Sequence, residues 1–294
     1  MPRCKDFMSH VKLLIQKLRV NQWYKNLLVF LGLVFERLLL DDLLLVLRCI
    51  VAFLALSLVS SSNYIVNDFL DRRNDIENEI KQSNVHLEKN TVIITFMALL
   101  VPALVLSALL TPTLFLFTLG ISVLGQAYNF GLKKVIIADV SVLSAIYVSR
   151  MFSGYYVIGR QPNLLNVLPI AFIALFLAFI KKRSILGILG EEKAVKFREN
   201  YKYYSHRRCE KLSIFFGVLI AVYYLMYVIF NDTFNDYLLA STYPFFVFLL
   251  YEVLRITKEK PETGIFLWKT LKNWKVVACT VSIIVLYLVL LVYP

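Results

Sequence analysis

Leu43–Asp75 reads LLLVLRCIVAFLALSLVSSSNYIVNDFLDRRND. Up to Val66 it is apolar enough, and long enough as a helix, to cross the ~30 Å hydrocarbon core of a bilayer. It then runs, without a turn signal, into Asn67, Asp68, Asp71 and Asp75. At 100° per residue, Asp68, Asp71 and Asp75 follow i, i+3, i+7 and share one face, with Asn67 and Asn63 one and two turns behind Asp71. Like charges at helical spacing repel, and a cation held between them relieves the repulsion. An all-oxygen donor set favours Mg²⁺, which keeps several waters and bridges to phosphate oxygens. The competing reading is that the acids solvate a helix end and pair with Arg72, Arg73 or Lys81.

Working outward, the rest of the chain has the same character. Of 294 residues, 59% are hydrophobic and 18% charged, with a mean hydropathy of +0.68, too apolar to keep a polar surface in water. The expected fold is an all-α polytopic membrane protein with about nine transmembrane helices. They are predicted at 26–40, 43–66, 91–110, 113–131, 138–158, 163–181, 212–230, 237–256 and 276–293. Lys and Arg concentrate in the segments up to 25, 67–90, 132–137, 181–211 and 255–275, whereas the opposite loops hold only Arg37 and Arg160. By the positive-inside rule the N-terminus and those segments are cytoplasmic, in a multi-pass protein of the cell (plasma) membrane. The net charge of +12 is mostly this topology signal, so no nucleic-acid partner is expected; anionic lipids and phosphorylated substrates are.

Residues 1–25 read as an amphipathic cytoplasmic helix leading into the first span, with no cleavable signal. No linker, repeat or low-complexity tract separates a second domain, so 1–294 reads as one membrane-embedded domain with long inner loops at 67–90 and 181–211. Cys4, Cys49, Cys209 and Cys279 are widely spaced and read as unpaired thiols. None of His10, His86 and His206 neighbours the aspartates in sequence, so nothing points to histidine acid–base chemistry.

Other candidate contacts are basic. Lys25 stands at the inner mouth of the first span, and Lys133 closes the fourth, four residues after Asn129. Either could touch a phosphate or merely set topology. Asp139 and Arg150, about three turns apart, lie on one face of the fifth span, and an arginine that deep needs an internal partner or a wet cavity. Lys181, Lys182 and Arg183 could receive a lipid phosphate or anchor the membrane surface.

Asn67-Asp68-Phe-Leu-Asp71-Arg-Arg-Asn-Asp75, as an NDxxDxxxD pattern after the second span, resembles the first aspartate-rich motif of the UbiA prenyltransferase superfamily, whose members have nine transmembrane helices. Arg19-Val-Asn-Gln22-Trp23-Tyr-Lys25-Asn26, Tyr128-Asn-Phe-Gly131-Leu132-Lys133, Asp139, Arg150 and the late Lys-Pro261-Glu262 are most similar to its decaprenyl-phosphate phosphoribosyltransferases. The resemblance implies Mg²⁺-dependent transfer of 5-phosphoribose from phosphoribosyl pyrophosphate (PRPP) to a long-chain polyprenyl phosphate, releasing pyrophosphate, in cell-envelope glycan precursor synthesis. It implies a catalytic and metal-binding set of Asp68, Asp71 and Asp75 with Asn67 as a further ligand. Substrate contacts would come from Lys25, Asn67, Lys81, Tyr128, Lys133, Asp139, Arg150, Lys182 and Arg183. A homo-oligomer is left open.

The sequence departs from that branch where a His-Pro-x-Lys-Arg-x-Arg-Pro-like segment is usual: Asn78–Val85 reads NEIKQSNV and retains only Lys81 of three basic positions. The segment after the sixth span has Glu191-Glu192 as its only acids, against a second aspartate-rich motif in diphosphate-using members. Two rival readings stand beside the first. One is a prenyltransferase joining a polyprenyl diphosphate to an aromatic acceptor; the other is a non-catalytic lipid-binding or transport protein.

Overall fold

The computed structural model describes residues 18–71, 88–230 and 234–292, and among these it is helical with no strand. The eight long helices among them are α1 Leu43–Asp71, α2 Lys89–Leu110, α3 Pro112–Phe130, α4 Ala138–Val157, α5 Leu164–Phe197, α6 His206–Ile229, α7 Asp236–Glu259 and α8 Trp274–Val292. Six of them, α1, α2, α3, α6, α7 and α8, are long and apolar enough to cross a membrane. Prolines interrupt α2, α5 and α7 at Pro102, Pro169 and Pro244. Membrane helices tolerate such prolines because neighbouring groups satisfy the freed carbonyls.

Two predicted segments take another form. The stretch predicted as a first span over 26–40 is a 3-10 helix, Val20–Phe30, followed by a single α-helical stretch, Leu31–Phe35. Gly32, the left-handed Arg37 (φ 58°) and the Asp41-Asp42 pair stop a longer helix from forming. The second departure is at 181–211, where α5 continues to Phe197 and the predicted inner loop is largely helix, ending in a 3-10 turn over Glu199–Tyr203. Gly190, at φ 74° and ψ 166°, kinks α5 within that extension.

The chain divides into two compact units. The first comprises the residues up to Leu31 together with Leu44–Lys133 and Ser149–Gln161. Within it α2 and α3 form a hairpin joined by Thr111 alone, whose hydroxyl caps α3 by accepting from the Leu114 amide at 3.0 Å, with Pro112 at the first helical position. Gly125 of α3 lies directly against Asn63 of α1: a Cβ there would come within 2.1 Å of Asn63 Nδ2. Gly154 of α4 similarly lets the helix reach the Val29 carbonyl, which a Cβ would meet at 1.9 Å.

The second unit comprises Gly32–Leu43, Lys134–Val148 and Pro162 onward. In it α5 packs along α6, α7 along α8, and the short helix Pro261–Ile265 against α5. One apolar cluster centres on Phe176, Ile180 and Ile220, and a second on Val228, Phe234, Leu239 and Leu290. The second cluster carries a polar link: the Tyr224 hydroxyl is 2.5 Å from Thr242 Oγ1 and 3.1 Å from the Tyr287 hydroxyl. Such bonds join α6, α7 and α8 without leaving a hydroxyl unsatisfied in an apolar setting.

The obstacle at Gly154 is main chain, which cannot swing aside. Gly154→Val should lower the thermal unfolding midpoint of detergent-purified protein, with overpacking costing roughly 1–3 kcal/mol. Gly120→Ala, where a Cβ meets nothing within 4 Å, should leave it unchanged. Equal midpoints for the two variants would contradict the close approach.

Candidate functional site

In the first unit α1 carries two polar stripes that meet at its C-terminal end. Ser57, Ser61, Tyr64 and Asp68 recur at i, i+4, i+7 and i+11, while Asn63, Asn67 and Asp71 recur at i, i+4 and i+8.

The first stripe binds the N-terminal segment. Asn26 Nδ2 donates to Ser57 Oγ at 3.0 Å, Trp23 Nε1 to Ser61 Oγ at 3.0 Å, and Ser61 Oγ to the Leu18 carbonyl at 2.8 Å. At the end of the stripe Arg19 Nη2 pairs with Asp68 Oδ1 at 2.5 Å, its guanidinium 5.2 Å from the Tyr64 ring centroid. Arg19 itself is left-handed (φ 51°, ψ 43°), which costs a non-glycine residue about 1–2 kcal/mol. The ion pair and the ring contact help hold it there. This network explains why Val20–Phe30 is an unusually long 3-10 helix: its polar side chains are fixed by α1, which offsets the poorer backbone geometry.

The second stripe binds α3. Asn63 Oδ1 accepts from Gln126 Nε2 at 2.6 Å, Asn63 Nδ2 donates to the Ile121 carbonyl at 3.2 Å, and Asn129 Nδ2 donates to the Asn63 carbonyl at 2.9 Å. Just beyond α3, Lys133 Nζ lies 2.5 Å from Asp71 Oδ1 and 3.5 Å from Asn67 Oδ1. Lys133, Asp68 and Asp71 all have mostly buried side chains, 7%, 12% and 11% exposed. Ion pairs in such surroundings depend on both partners, since removing one leaves a charge stranded in low dielectric.

Asp68 and Asp71 therefore end α1 together, roughly 60° apart around the axis. Each holds a cationic group, Arg19 on Asp68 and Lys133 on Asp71; Arg72 and Arg73 lie outside the described residues. Asp75 and Lys81 lie outside the described residues. Among the described residues no three His, Cys, Asp or Glu side chains come together as a metal cluster. The oxygens that one cation does bring together are the Asp71 carboxylate and the Asn67 carbonyl oxygen, with the Asp68 carboxylate three residues before Asp71 on α1, and all are hard donors. One cation, the Lys133 ammonium, already sits between Asn67 and Asp71, so the set fits a hard divalent ion.

Arg150 belongs to the same unit. It is 5% exposed, and its Nη2 donates to Ser60 Oγ at 3.4 Å. Lys25 Nζ donates to Gln22 Oε1 at 2.8 Å. Tyr128, near the end of α3, is half-buried.

Asp139, which the spacing placed on one face with Arg150, has its recorded partners in the second unit. Its Oδ2 accepts from Lys182 Nζ and from Asn200 Nδ2 (2.6 Å), its Oδ1 from the Tyr204 hydroxyl (3.2 Å). The Lys182 ammonium also lies over two rings, 4.1 Å from the Tyr204 centroid and 5.0 Å from Tyr201. Burial, and then the Asp139 charge, push the Tyr204 phenol above its ordinary value, so it keeps the proton that it donates. Arg183 is 2% exposed and donates to Thr257 Oγ1 at 2.8 Å. Of the expected basic run only Lys181 is exposed; Lys182 and Arg183 tie α5 to the Asn200–Tyr204 turn and to α7. Spacing did not single out Arg19, Tyr64, Gln126 or Asn200. The i, i+4, i+7 recurrence of Ser57, Ser61 and Tyr64 was the available signal for the first two.

Residues 27–276 match the UbiA prenyltransferase family. A decaprenyl-phosphate phosphoribosyltransferase of Mycolicibacterium smegmatis is 28% identical over 232 residues, covering 76% of this chain and 72% of that protein. An uncharacterized protein of Sinorhizobium fredii is 34% identical over 177 residues, or 58% of this chain; the match spans only 34% of that longer protein. The fold is similar to that of a UbiA homolog from Archaeoglobus fulgidus solved with GPP and Mg²⁺, at TM-score 0.66 and 12% identity over 92% of this chain and 99% of that one. It is also similar to a digeranylgeranylglyceryl phosphate synthase, at TM-score 0.57 and 17% identity over 96% and 98%.

The Asp139 cluster gives a stability test. Asp139→Ala should destabilise the purified protein by about 3–5 kcal/mol, because Lys182 then loses its buried carboxylate. Glu199→Ala, which breaks an exposed pair with Lys202, should leave the unfolding curve in place. An Asp139→Ala curve matching wild type would show that the buried pair holds nothing.

Proposed function

Because the chain belongs to the UbiA prenyltransferase family, a family of membrane-embedded transferases, we propose that it transfers 5-phosphoribose from PRPP to the phosphate of a long-chain polyprenyl phosphate, releasing pyrophosphate. The observation that carries this reading is the pair of part-buried carboxylates, Asp68 and Asp71, ending α1 with a basic side chain on each. The relative named as a decaprenyl-phosphate phosphoribosyltransferase supports the donor and acceptor. In this reading Asn67, Asp68, Asp71 and Asp75 would hold Mg²⁺, which supplies neutralisation of the pyrophosphate leaving group.

The chain's own side chains do the rest. Lys133, beside Asp71, offers an ammonium to the donor's phosphates, and the sequence reading adds Lys81 as a further phosphate contact. Arg19 fixes Asp68 and stays close as a second positive charge. Positive charge develops at ribose C1 as the pyrophosphate departs, and the carboxylates of Asp68 and Asp71 favour that charge. The acceptor phosphate, with a second pKa near ~6, is largely dianionic at neutral pH and attacks C1 without a protein base. That agrees with the lack of a histidine beside the aspartates in sequence. The enzyme would work on the cytoplasmic side of the plasma membrane, in a bundle of about nine helices, and feed cell-envelope glycan synthesis.

Membranes containing the protein, given Mg²⁺, radiolabelled PRPP and polyprenyl phosphate, should pass label into the organic phase. Asp71→Asn should reduce that transfer by at least ~10²-fold, the scale of losing a main electrostatic contributor. Label that stays in the aqueous phase, while a polyprenyl diphosphate alkylates an aromatic acid in the same membranes, would replace this reading with prenyl transfer.

A further inference from the structure

The helix α8, one of those long and apolar enough to cross a membrane, has two distinct faces. Trp274, Val277, Val281, Ile284 and Leu288 recur at i, i+3, i+7, i+10 and i+14 and are exposed, whereas Val276, Cys279 and Leu290, on the opposite face, are buried. Along a spanning helix lipid is the solvent, so the exposed stripe lies against acyl chains. Trp274 begins that stripe and is 74% exposed. Asn273 fixes it there: the Asn273 side-chain oxygen accepts from the Lys275 amide at 2.9 Å, and its carbonyl accepts from the Val277 amide at 3.1 Å. A tryptophan at the end of a span favours the head-group level, where the ring is buried and its N–H meets water or lipid oxygens.

Positive charge gathers at the same end of α8. The 3-10 helix Leu267–Lys272 repeats every three residues, so Lys269 and Lys272 fall on one edge and Trp268 and Leu271 on the next. Leu271 is 56% exposed, which extends the apolar surface of Trp274 toward the lysines. Both lysines are held beside rings, the Lys269 ammonium 4.9 Å from the Phe266 centroid and the Lys272 ammonium 5.8 Å from that of Trp268. Acids do little to balance them. Glu262 approaches Lys269 at a loose 3.7 Å, and no carboxylate among the described residues pairs with Lys272.

We propose that residues 266–274 form a seat for the head groups of anionic phospholipids, with Lys269 and Lys272 on the phosphodiester and Leu271 and Trp274 at the top of the acyl region. The charge and the apolar surface each select part of that ligand. An ammonium binds a phosphate oxygen, and two of them prefer a head group whose phosphate carries no covering cation, as in phosphatidylglycerol, over phosphatidylcholine. The exposed leucine and tryptophan require that the phosphate belong to a membrane lipid, since in water they would gain nothing from it. The seat belongs to the second unit and is independent of which group the carboxylates at the end of α1 help to transfer.

Full-length protein reconstituted in phosphatidylcholine vesicles, with phosphatidylglycerol as the minor lipid, tests it when the acyl chains of one lipid or the other carry bromine, a quencher of tryptophan emission. Trp274 is exposed whereas Trp23 and Trp268 are half-buried, so it should dominate the quenching. Brominated phosphatidylglycerol should quench beyond its share of the bilayer, with a local enrichment of about fivefold per lysine, the scale of attraction between one basic residue and an anionic surface. Lys269→Gln/Lys272→Gln should bring the quenching down to that share. Lys193→Gln/Lys196→Gln, which removes the same charge from an exposed stretch of α5, should keep the wild-type preference. Trp274→Phe should remove most of the quenching by either lipid. Quenching of the wild-type protein in proportion to the share of phosphatidylglycerol, or an enrichment that survives Lys269→Gln/Lys272→Gln, would overturn the proposal. So would a Trp274→Phe protein quenched as strongly as wild type, because Trp274 would then lie away from the acyl chains.

Discussion

Two carboxylates, Asp68 and Asp71, sit within one turn of each other where a long apolar helix ends, and both are largely shielded from water. Ionised acids in that setting must find positive charge. The first unit is arranged to deliver it from two directions: Arg19 from the N-terminal segment and Lys133 from beyond α3. The hydrogen bonds along α1 follow the same logic, since Ser57 and Ser61 fasten the segment that presents Arg19, and Asn63 fastens the helix that presents Lys133. A single helix thus carries both the acids and the attachment points of their cations.

The same demand appears independently in the second unit, around Asp139. There the carboxylate takes three donors from α5 and from the turn after it, and the lysine is covered by two aromatic rings. All three of these donors, Lys182, Asn200 and Tyr204, belong to the same unit as the carboxylate. At the end of α1 two carboxylates instead take one cation each, Arg19 from the N-terminal segment and Lys133 from beyond α3.

Much of this was legible in the sequence, and the reasons are physical. The apolar runs and the asymmetric Lys and Arg distribution mark a helical membrane protein because lipid demands internally satisfied backbone. The Asp68 and Asp71 spacing marks the candidate site because a separation of three residues brings side chains onto neighbouring positions of a helix. What stayed hidden depends on tertiary partners. Arg19 opens the entry segment that carries the family resemblance but had no role of its own, and only the fold places it on Asp68. Asp139 and Arg150 share a helical face by spacing, yet their recorded partners lie in different units. Lys182 and Arg183 looked like a surface run because periodicity alone does not show that α5 continues through them to Phe197. The 3-10 path of Val20–Phe30 arises from side-chain bonds to α1 that no local propensity encodes.

The claim on which this account turns is that the acids ending α1 grip a divalent ion together with the sugar donor's diphosphate. Calorimetric titration of PRPP into the purified protein, with Mg²⁺ and then with excess chelator, addresses it directly. Saturable binding that requires Mg²⁺ in the wild-type protein and vanishes in Asp68→Asn is the expected result. PRPP binding of equal strength with and without the metal, or no binding at all, would contradict it.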